Sequence, residues 1–259
     1  AGGAEGDGFA GIVQTGAENA IRDTGADAEI LYSEWQSEIM IQQLRQAIGA
    51  GVDGIAMMGH PGDEAIMPLA EEANKAGILM MYQNVDVPTV RAKYGGGYVG
   101  ANLATQGYAL GQEAIRLFGF EAGDTAIVMV PTGDYSRAQR EDNTRIAFEE
   151  HGMKVVVLDG TPEMATDPNS AIPVISAALA ANPDAKILVH TGGQMLGNAE
   201  TFAVAAGYGP NELLQIGFDT SPQVMSAFVN GYAHLTSDQQ PFLQLSLIHI
   251  SEPTRQWQI

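Results

Sequence analysis

The chain has 259 residues, no cysteine and a formal net charge of −19 at pH 7. Its length allows one large or two ordinary domains, and a hydrophobic share of 45% suits a folded protein with a sizeable core. The charge argues against a nucleic-acid partner, the lack of cysteine in the sequence excludes disulfides and thiolate metal sites, and no apolar run approaches the roughly 18 residues that span a bilayer.

The first hundred residues alternate predicted helices and strands with short connections. After an acidic, glycine-rich loop, apolar stripes that end at glycine predict helices over 9–25, around 41–48 and around 66–73. Short apolar runs predict strands over 29–32, 54–58 and 78–82, followed by a loop over 85–97. Helices that alternate with strands in this way indicate a parallel sheet covered on both faces.

The same alternation continues to about residue 236. Helices are predicted over 104–118, 139–151 and 197–206, and two more begin at the capping pairs Asp167-Pro168 and Ser221-Pro222. Strands are predicted over 126–130, 154–158, 186–189, 213–218 and 232–236. A domain boundary is expected near 100–103, with a return crossing near 236–238. The sequence therefore predicts an α/β fold built on parallel sheets.

Polar side chains follow two of the predicted strands at their carboxyl ends. Asp219 comes directly after 213–218, and Gln239 lies in the polar run that follows 232–236. Ser221 can cap the next helix, which leaves the carboxylate of Asp219 available for a ligand, although a helix cap or a solvated turn is the alternative. Ligands of open α/β sheets bind outside the carboxyl ends of the strands, so these residues indicate a binding site.

No motif for catalysis, a cofactor or a metal stands out. The run 95–100 formally matches GxGxxG, but no buried strand precedes it, so a flexible loop is the preferred interpretation. The five histidines lack metal-binding spacing and are interpreted as structural or exposed. Neither a nucleophile elbow nor a P-loop is present in the sequence. We expect no enzyme activity, no cofactor and no metal site.

The segment 217–244 carries a family resemblance. Its Gly217-Phe218-Asp219, proline-containing turn, helix, Asn-Gly-Tyr, strand and Asp-Gln-Gln-Pro resemble the C-terminal half of type I periplasmic binding proteins, the ribose-binding-like group that delivers sugars to bacterial ABC importers. The resemblance runs from about 8 to 244, and 238–244 is its most specific part. It implies two lobes, each a doubly wound parallel sheet with helices on both faces, joined by hinge crossings. The lobes would be 1–101 and 102–236, with a return crossing over 237–244.

The resemblance also implies a set of ligand-binding residues at strand ends. They are Asp7, Phe9, Gln83, Asn84, Arg140, Gln194, Asp219 and Gln239. Alternatives remain for several of them: Phe9 as the first core residue of a helix, Gln83 and Asn84 as a solvated turn, Gln239 as hinge packing, and Arg140 as a surface residue with Arg137 and Arg145 as competitors. At Gln194 the chain departs from the usual Asn or Asp, which weakens the assignment.

The resemblance implies that the protein is a monomer that binds a small sugar between its lobes. No covalent bond of the sugar would be made or broken. The protein would then present the sugar to the membrane subunits of an ABC importer. It would act in the periplasm or as a cell-surface lipoprotein, with a leader that is not part of this sequence. The alternative is the effector domain of a LacI-type repressor, and a third class is an α/β enzyme.

Members of the family place a strand before the first helix and further elements after 244, so we expect truncation at both ends. The run 246–255 resembles sequencing-adapter read-through, which suggests that 245–259 is an artefactual tail.

Overall fold

The computed structural model describes residues 2–4, 8–132 and 135–247, and they form two compact units. Unit 1 consists of the described residues of Ala1–Ala101 and Gln240–Ile259, and unit 2 consists of those of Asn102–Gln239. Each unit is a parallel sheet flanked by helices, so the predicted α/β class with two parallel sheets is confirmed.

The elements of the described chain follow one another in a regular order. The helices are α1 (Gly8–Thr24), α2 (Ser37–Ala50), α3 (Gly62–Ala76), α4 (Pro88–Tyr94), α5 (Leu103–Phe118), α6 (Tyr135–Glu150), α7 (Pro162–Thr166), α8 (Ile172–Ala181), α9 (Gly193–Gly197), α10 (Ala199–Ala205), α11 (Pro222–Val229) and α12 (Pro241–Ser246), with a 3-10 turn over Pro168–Ala171. The strands are β1 (Gly54–Met58), β2 (Leu79–Gln83), β3 (Gly97–Val99), β4 (Thr125–Pro131), β5 (Lys154–Gly160), β6 (Ala185–Val189), β7 (Leu214–Phe218) and β8 (Leu235–Ser237). None of the described helices is both long and apolar enough to cross a membrane.

The sheet of unit 1 has the order β1-β2-β3, with parallel pairing throughout. Its two faces bury different neighbours because successive side chains of a strand point to opposite sides. Met57 packs in the cluster that contains Ile66 and Leu69 of α3, whereas Met58 packs with Phe9 and Val13 of α1. Helices therefore cover both faces of this sheet.

The sheet of unit 2 has the order β5-β4-β6-β7-β8, again with parallel pairing. Along β4, Val128 packs in one cluster with Phe148 of α6, and Ile127 packs in another with Ile175 of α8. This alternation buries both faces of the central strand, as expected of a doubly wound sheet. The carboxyl ends of β4, β6 and β7 consequently lie side by side at one edge.

Two of the local predictions are wrong. Residues 29–32 form no strand: the carbonyl of Tyr32 accepts a hydrogen bond from the Gln43 side chain at 2.6 Å instead of entering a sheet ladder. Residues 85–97 are not a loop, because α4 lies within them and β3 begins at their end. Pro88 occupies the first helical position of α4, and the helix is too short to show a periodic stripe.

Helix α12 returns to unit 1 and packs against α1. A Cβ atom built on Gly16 would lie 2.2 Å from the backbone oxygen of Phe242, so only glycine permits this approach. Leu245 is buried with Phe9 and Val13. Leu245 and the next two residues of the proposed tail are thus part of the described chain, and residues from 248 onward lie outside it.

Glycine also sets the distance between α5 and α6, and we expect Gly107→Ala to destabilise the protein. The added Cβ would lie 1.7 Å from the backbone oxygen of Arg140, and such overpacking costs about 1–3 kcal/mol even against the better helix propensity of alanine. Gly11→Ala in α1 is the matched control, because its Cβ meets nothing within 4 Å and should stabilise by up to about 1 kcal/mol. Urea unfolding measures both, and equal effects would contradict the expectation.

Candidate functional site

Three of the predicted site residues come together in unit 2. Asp219 follows β7, Gln239 follows β8, and Arg140 lies in α6. The Nε2 atom of Gln239 donates to Oδ1 of Asp219 at 2.7 Å, and Nη1 of Arg140 lies 3.6 Å from Oδ2 of the same carboxylate. Asp219 and Arg140 are both buried, which excludes the solvated alternatives for these two residues.

The backbone around Asp219 is fixed by β8. Its N–H donates to the carbonyl of Ser237 at 2.9 Å, and Oγ1 of Thr236 donates to its carbonyl at 2.7 Å. These bonds hold Asp219 at a φ of 69°, in the left-handed region that Asn and Asp tolerate better than most residues. Ser221 caps α11 through the N–H of Val224 at 3.2 Å, so the Asp219 carboxylate is not the helix cap.

The guanidinium group of Arg140 is buried. It lies 4.0 Å from the ring centre of Phe218, and its Nη2 donates to the carbonyl of Thr191 at 3.0 Å. Burial lowers the pKa of Arg140 and the neighbouring Arg137 lowers it further, whereas Glu141 and Asp219 raise it. An arginine remains a cation under such conditions, so the group is a fixed donor at the strand ends.

Sequence reasoning missed Glu141 and treated Arg137 only as a competitor. Glu141 is fully buried and accepts hydrogen bonds from both Arg137 and Arg140. Arg145, the other competitor, pairs instead with Asp142 and Glu149 on a more exposed part of α6. No pattern in the sequence identifies Glu141, because its burial depends on the tertiary packing of α6.

The loop after β6 lies against this cluster. The carbonyl of Thr191 accepts from both Arg137 and Arg140, and a Cβ built on Gly193 would lie 3.2 Å from Cβ of Asp219. Gln194 follows as a half-buried residue of α9, and its carbonyl accepts from Asn198 at 2.9 Å. The stretch that departs from the usual family residues therefore borders Asp219 mainly through backbone.

A second polar cluster lies at the strand ends of unit 1. Asn84 follows β2 at a φ of 64°, and its Oδ1 lies 2.8 Å from Nε2 of His60. Its Nδ2 is 3.5 Å from Oε1 of Gln244 in α12. Gln83 is also buried, and its Oε1 accepts no hydrogen bond from the described residues. Neither Gln83 nor Asn84 is a solvated turn.

Aromatic rings lie next to His60, which contacts Asn84. The ring centres of Phe9 and Trp35 are 5.7 Å apart, and those of Trp35 and His60 are 5.6 Å apart. Phe9 also packs in the core between α1 and α12, so its two predicted roles are compatible. Asp7 lies outside the described residues. Trp35 and His60 were missed, although the carboxyl-end rule applied to β1 points to His60.

His190 directly follows β6 and is fully buried. Its Nε2 is 2.9 Å from Oε1 of Gln215, and its ring stacks on Phe202 at 5.5 Å. Burial lowers the pKa of His190 to about 4. In the unfolded chain the same group titrates near its ordinary value of about 6.5.

We expect His190 to make stability depend on pH. Because its pKa is lower in the folded state, the unfolded chain binds the proton more readily, so stability is complete above about pH 6.5 and is lost as the pH falls toward 4. Between pH 7 and 5 the free energy of unfolding should fall by about 2 kcal/mol from this group. Urea unfolding of the wild type and of His190→Gln at both pH values checks this, and the fall between pH 7 and 5 should be smaller in the variant. Equal falls in the two proteins would mean that His190 contributes nothing.

Within the described ranges, no group of three or more His, Asp or Glu side chains is arranged to hold a metal ion. The clusters of both units instead offer hydrogen-bond donors and acceptors: guanidinium, carboxylate and amide groups at the ends of parallel strands. Such planar groups, placed close to apolar rings, match a small polar ligand with several hydroxyl groups.

Comparison with known proteins connects this arrangement to a family and to individual relatives. Residues 3–247 match the family described as periplasmic binding protein domain. The xylose/arabinose-binding protein XylF of Sulfolobus acidocaldarius is 27% identical over 217 residues, which are 79% of this chain and 52% of the relative. The chain therefore spans about half the length of the curated relative that it matches.

Solved structures share the fold at low sequence identity. A periplasmic sugar-binding protein of an ABC sugar transporter from Legionella pneumophila has a TM-score of 0.83 and 22% identity, with coverage of 99% of this chain and 93% of the other. A structure described as a putative LacI transcriptional regulator from Bacteroides fragilis has a TM-score of 0.78 and 15% identity, with coverage of 94% and 84%. At these identities, both structures show that the chain shares their fold.

Proposed function

This chain belongs to the periplasmic binding protein domain family, and from that premise we propose that it is the substrate-binding component of an ABC importer and binds a small sugar. The observation that carries the proposal is the set of Arg140 and Asp219, both buried, with the half-buried Gln239 at the strand ends of unit 2. The xylose/arabinose-binding relative and the sugar-binding protein from Legionella pneumophila support the choice of ligand class.

The chemistry of the set suits sugar hydroxyl groups. Arg140 donates, Asp219 accepts, and Gln239 can do both, so each hydroxyl can find a donor and an acceptor. Hydrogen bonds to charged groups contribute more than neutral ones, about 1.5–3 kcal/mol each. The amides of Gln83 and Asn84 and the rings of Phe9 and Trp35 supply the same kinds of contact in unit 1. Asp7 and Gln194 complete the proposed set.

Further parts of the proposal follow from the family. The two units are proposed as the two lobes, with the chain crossing at 101–102 and at 239–240. The protein would act as a monomer in the periplasm or as a lipoprotein on the cell surface, contact the importer's membrane subunits, and leave the sugar chemically unchanged. No nucleic acid is involved, in keeping with the net charge of −19.

A thermal-shift screen followed by calorimetry tests sugar binding. Pentoses including D-xylose and L-arabinose, hexoses, and myo-inositol are added to the folded chain, and one class should raise the melting temperature. A ligand at a hundred times its Kd stabilises by about 2.7 kcal/mol. Recovery of the unaltered sugar after incubation checks that no reaction occurs. A folded protein that responds to none of the sugars would exclude the proposal.

The effector domain of a LacI-type repressor is the second candidate, favoured by the likeness to the regulator fold from Bacteroides fragilis. Such a domain also binds small ligands, so sugar binding alone does not separate the two. Sugar-dependent stimulation of importer ATPase activity in proteoliposomes would support the transport function. Its absence, despite measured sugar binding, would favour the repressor.

A further inference from the structure

A buried carboxylate lies behind the polar cluster of unit 2. The side chain of Glu141 is 0% exposed. Its two oxygens accept from Nη1 of Arg137 at 2.9 Å each, and its Oε1 accepts from Nε and Nη2 of Arg140 at 3.3 and 3.2 Å. Glu141 thus binds both guanidinium groups at once, and it has no exposed surface of its own with which to contact a ligand.

Among the described residues, the charges of this cluster cancel. Arg137 and Arg140 carry two positive charges, and Glu141 and Asp219 carry two negative ones, joined by ion pairs at 2.9, 3.2 and 3.6 Å. All four side chains are at most 18% exposed, so solvent screens them weakly. Removing one charge would leave a net charge that a ligand would experience strongly.

Gly192 leaves space where these groups converge. A Cβ atom built there would lie 3.5 Å from Nη2 of Arg140, 3.6 Å from Nη2 of Arg137 and 3.8 Å from Oδ2 of Asp219. A ligand atom near this point would therefore contact two cations and one anion. Without Glu141 the surroundings would favour an anionic group.

We propose that Glu141 is a positioning residue that determines specificity: it cancels one guanidinium charge, orients both arginines, and so restricts the site to uncharged sugars over sugar acids. This inference rests on the proposed sugar-binding function. It concerns a residue that acts through Arg137 and Arg140, not one that touches the sugar.

The test compares matched neutral and acidic sugars by calorimetry. The pairs are D-galactose with D-galacturonate and D-xylose with D-xylonate, measured with the wild type and with Glu141→Gln. The glutamine keeps the shape of the side chain and removes its charge. The ratio of acid affinity to neutral affinity should rise about tenfold or more in the variant, and the gain should shrink as salt is added.

Two control variants test whether the effect depends on the local charge of the cluster. Arg137→Gln/Glu141→Gln returns the cluster to neutrality and should return the ratio to the wild-type value. Asp159→Asn makes the same charge change at an exposed position of β5 and should leave the ratio unchanged. A ratio that moves equally in Asp159→Asn would reduce the effect to overall charge and overturn the proposal.

A further variant covers the case in which Glu141→Gln does not fold. Arg137→Gln leaves one negative charge in excess and should raise the affinity for D-glucosamine over D-glucose about tenfold. If the variants fold but their ratios of charged-sugar to neutral-sugar affinity do not change, the proposed role of Glu141 is overturned. Neutral-sugar binding by the wild type would still support the proposed function in that case. If the wild type binds no neutral sugar but Glu141→Gln gains galacturonate binding, the charge assignment stands and the proposed function fails.

Discussion

Asp219→Ala is expected to lower the affinity for the sugar about a hundredfold or more. The substitution removes the carboxylate that Gln239 and Arg140 hold in place, and with it the proposed charge-assisted hydrogen bonds to the ligand, which contribute about 1.5–3 kcal/mol each. It also leaves Arg140 with one ion-pair partner fewer. Calorimetry with the sugar identified in the screen measures the loss.

Two further variants separate binding from folding. Asp219→Asn keeps the shape and the tolerance for a positive φ, so it should bind with intermediate affinity. Asp159→Ala removes an exposed carboxylate from β5 of the same sheet and should change neither the affinity nor, beyond about 0.5 kcal/mol, the stability. Sugar binding by folded Asp219→Ala at wild-type affinity would exclude Asp219 from the site.

Arg140→Met is expected to destabilise the protein by about 3–5 kcal/mol. Methionine fills most of the volume but leaves Glu141 and Asp219 buried with fewer cationic partners, and removal of one member of a buried ion-pair network costs this much. It also removes the contact between the guanidinium group and the ring of Phe218. Urea unfolding followed by circular dichroism measures the change in the free energy of unfolding.

The matched control is Arg116→Met in α5. Arg116 pairs with Glu113 at 2.6 Å, but the two side chains are 65% and 45% exposed, so the loss of stability should be much smaller than in Arg140→Met. Similar losses of stability in the two variants would mean that the burial of the Arg140 ion pairs does not increase their effect on stability. A double variant that adds Asp219→Asn to Arg140→Met should recover part of the stability, because Asp219 is the carboxylate that loses its ion-pair partner, whereas Glu141 keeps Arg137.

The parallel sheets could be predicted because most of the strands are buried on both faces and read as apolar runs. Strand β1 was predicted over the same residues that form it, and glycine marks the ends of α2 and α3 as expected. Helix α4 and strand β3 were missed since neither is long enough to show a period. The strand predicted over 29–32 failed because a hydrophobic run does not reveal whether a partner strand will pair with it.

The candidate site could be predicted in the part that backbone topology alone determines. Asp219 and Gln239 follow neighbouring parallel strands, so the sheet itself brings them together. Glu141 and Trp35 could not be found in this way, because their positions depend on helix packing and on a turn between distant segments. The structure therefore adds the charge balance around Arg140, which the order of residues along the chain does not contain.

The discontinuous make-up of unit 1 has a consequence for synthesis on the ribosome. Unit 2 is one continuous stretch and leaves the ribosome whole before α12 emerges, so it can fold first. The apolar side of α1 with Phe9 and Val13 is completed only when Leu245, the last described residue of their shared cluster, has been translated. During that interval the nascent N-terminal segment exposes apolar surface, which is the kind of surface that chaperones bind. Translation speed through the second half of the message thus sets how long this vulnerable state lasts.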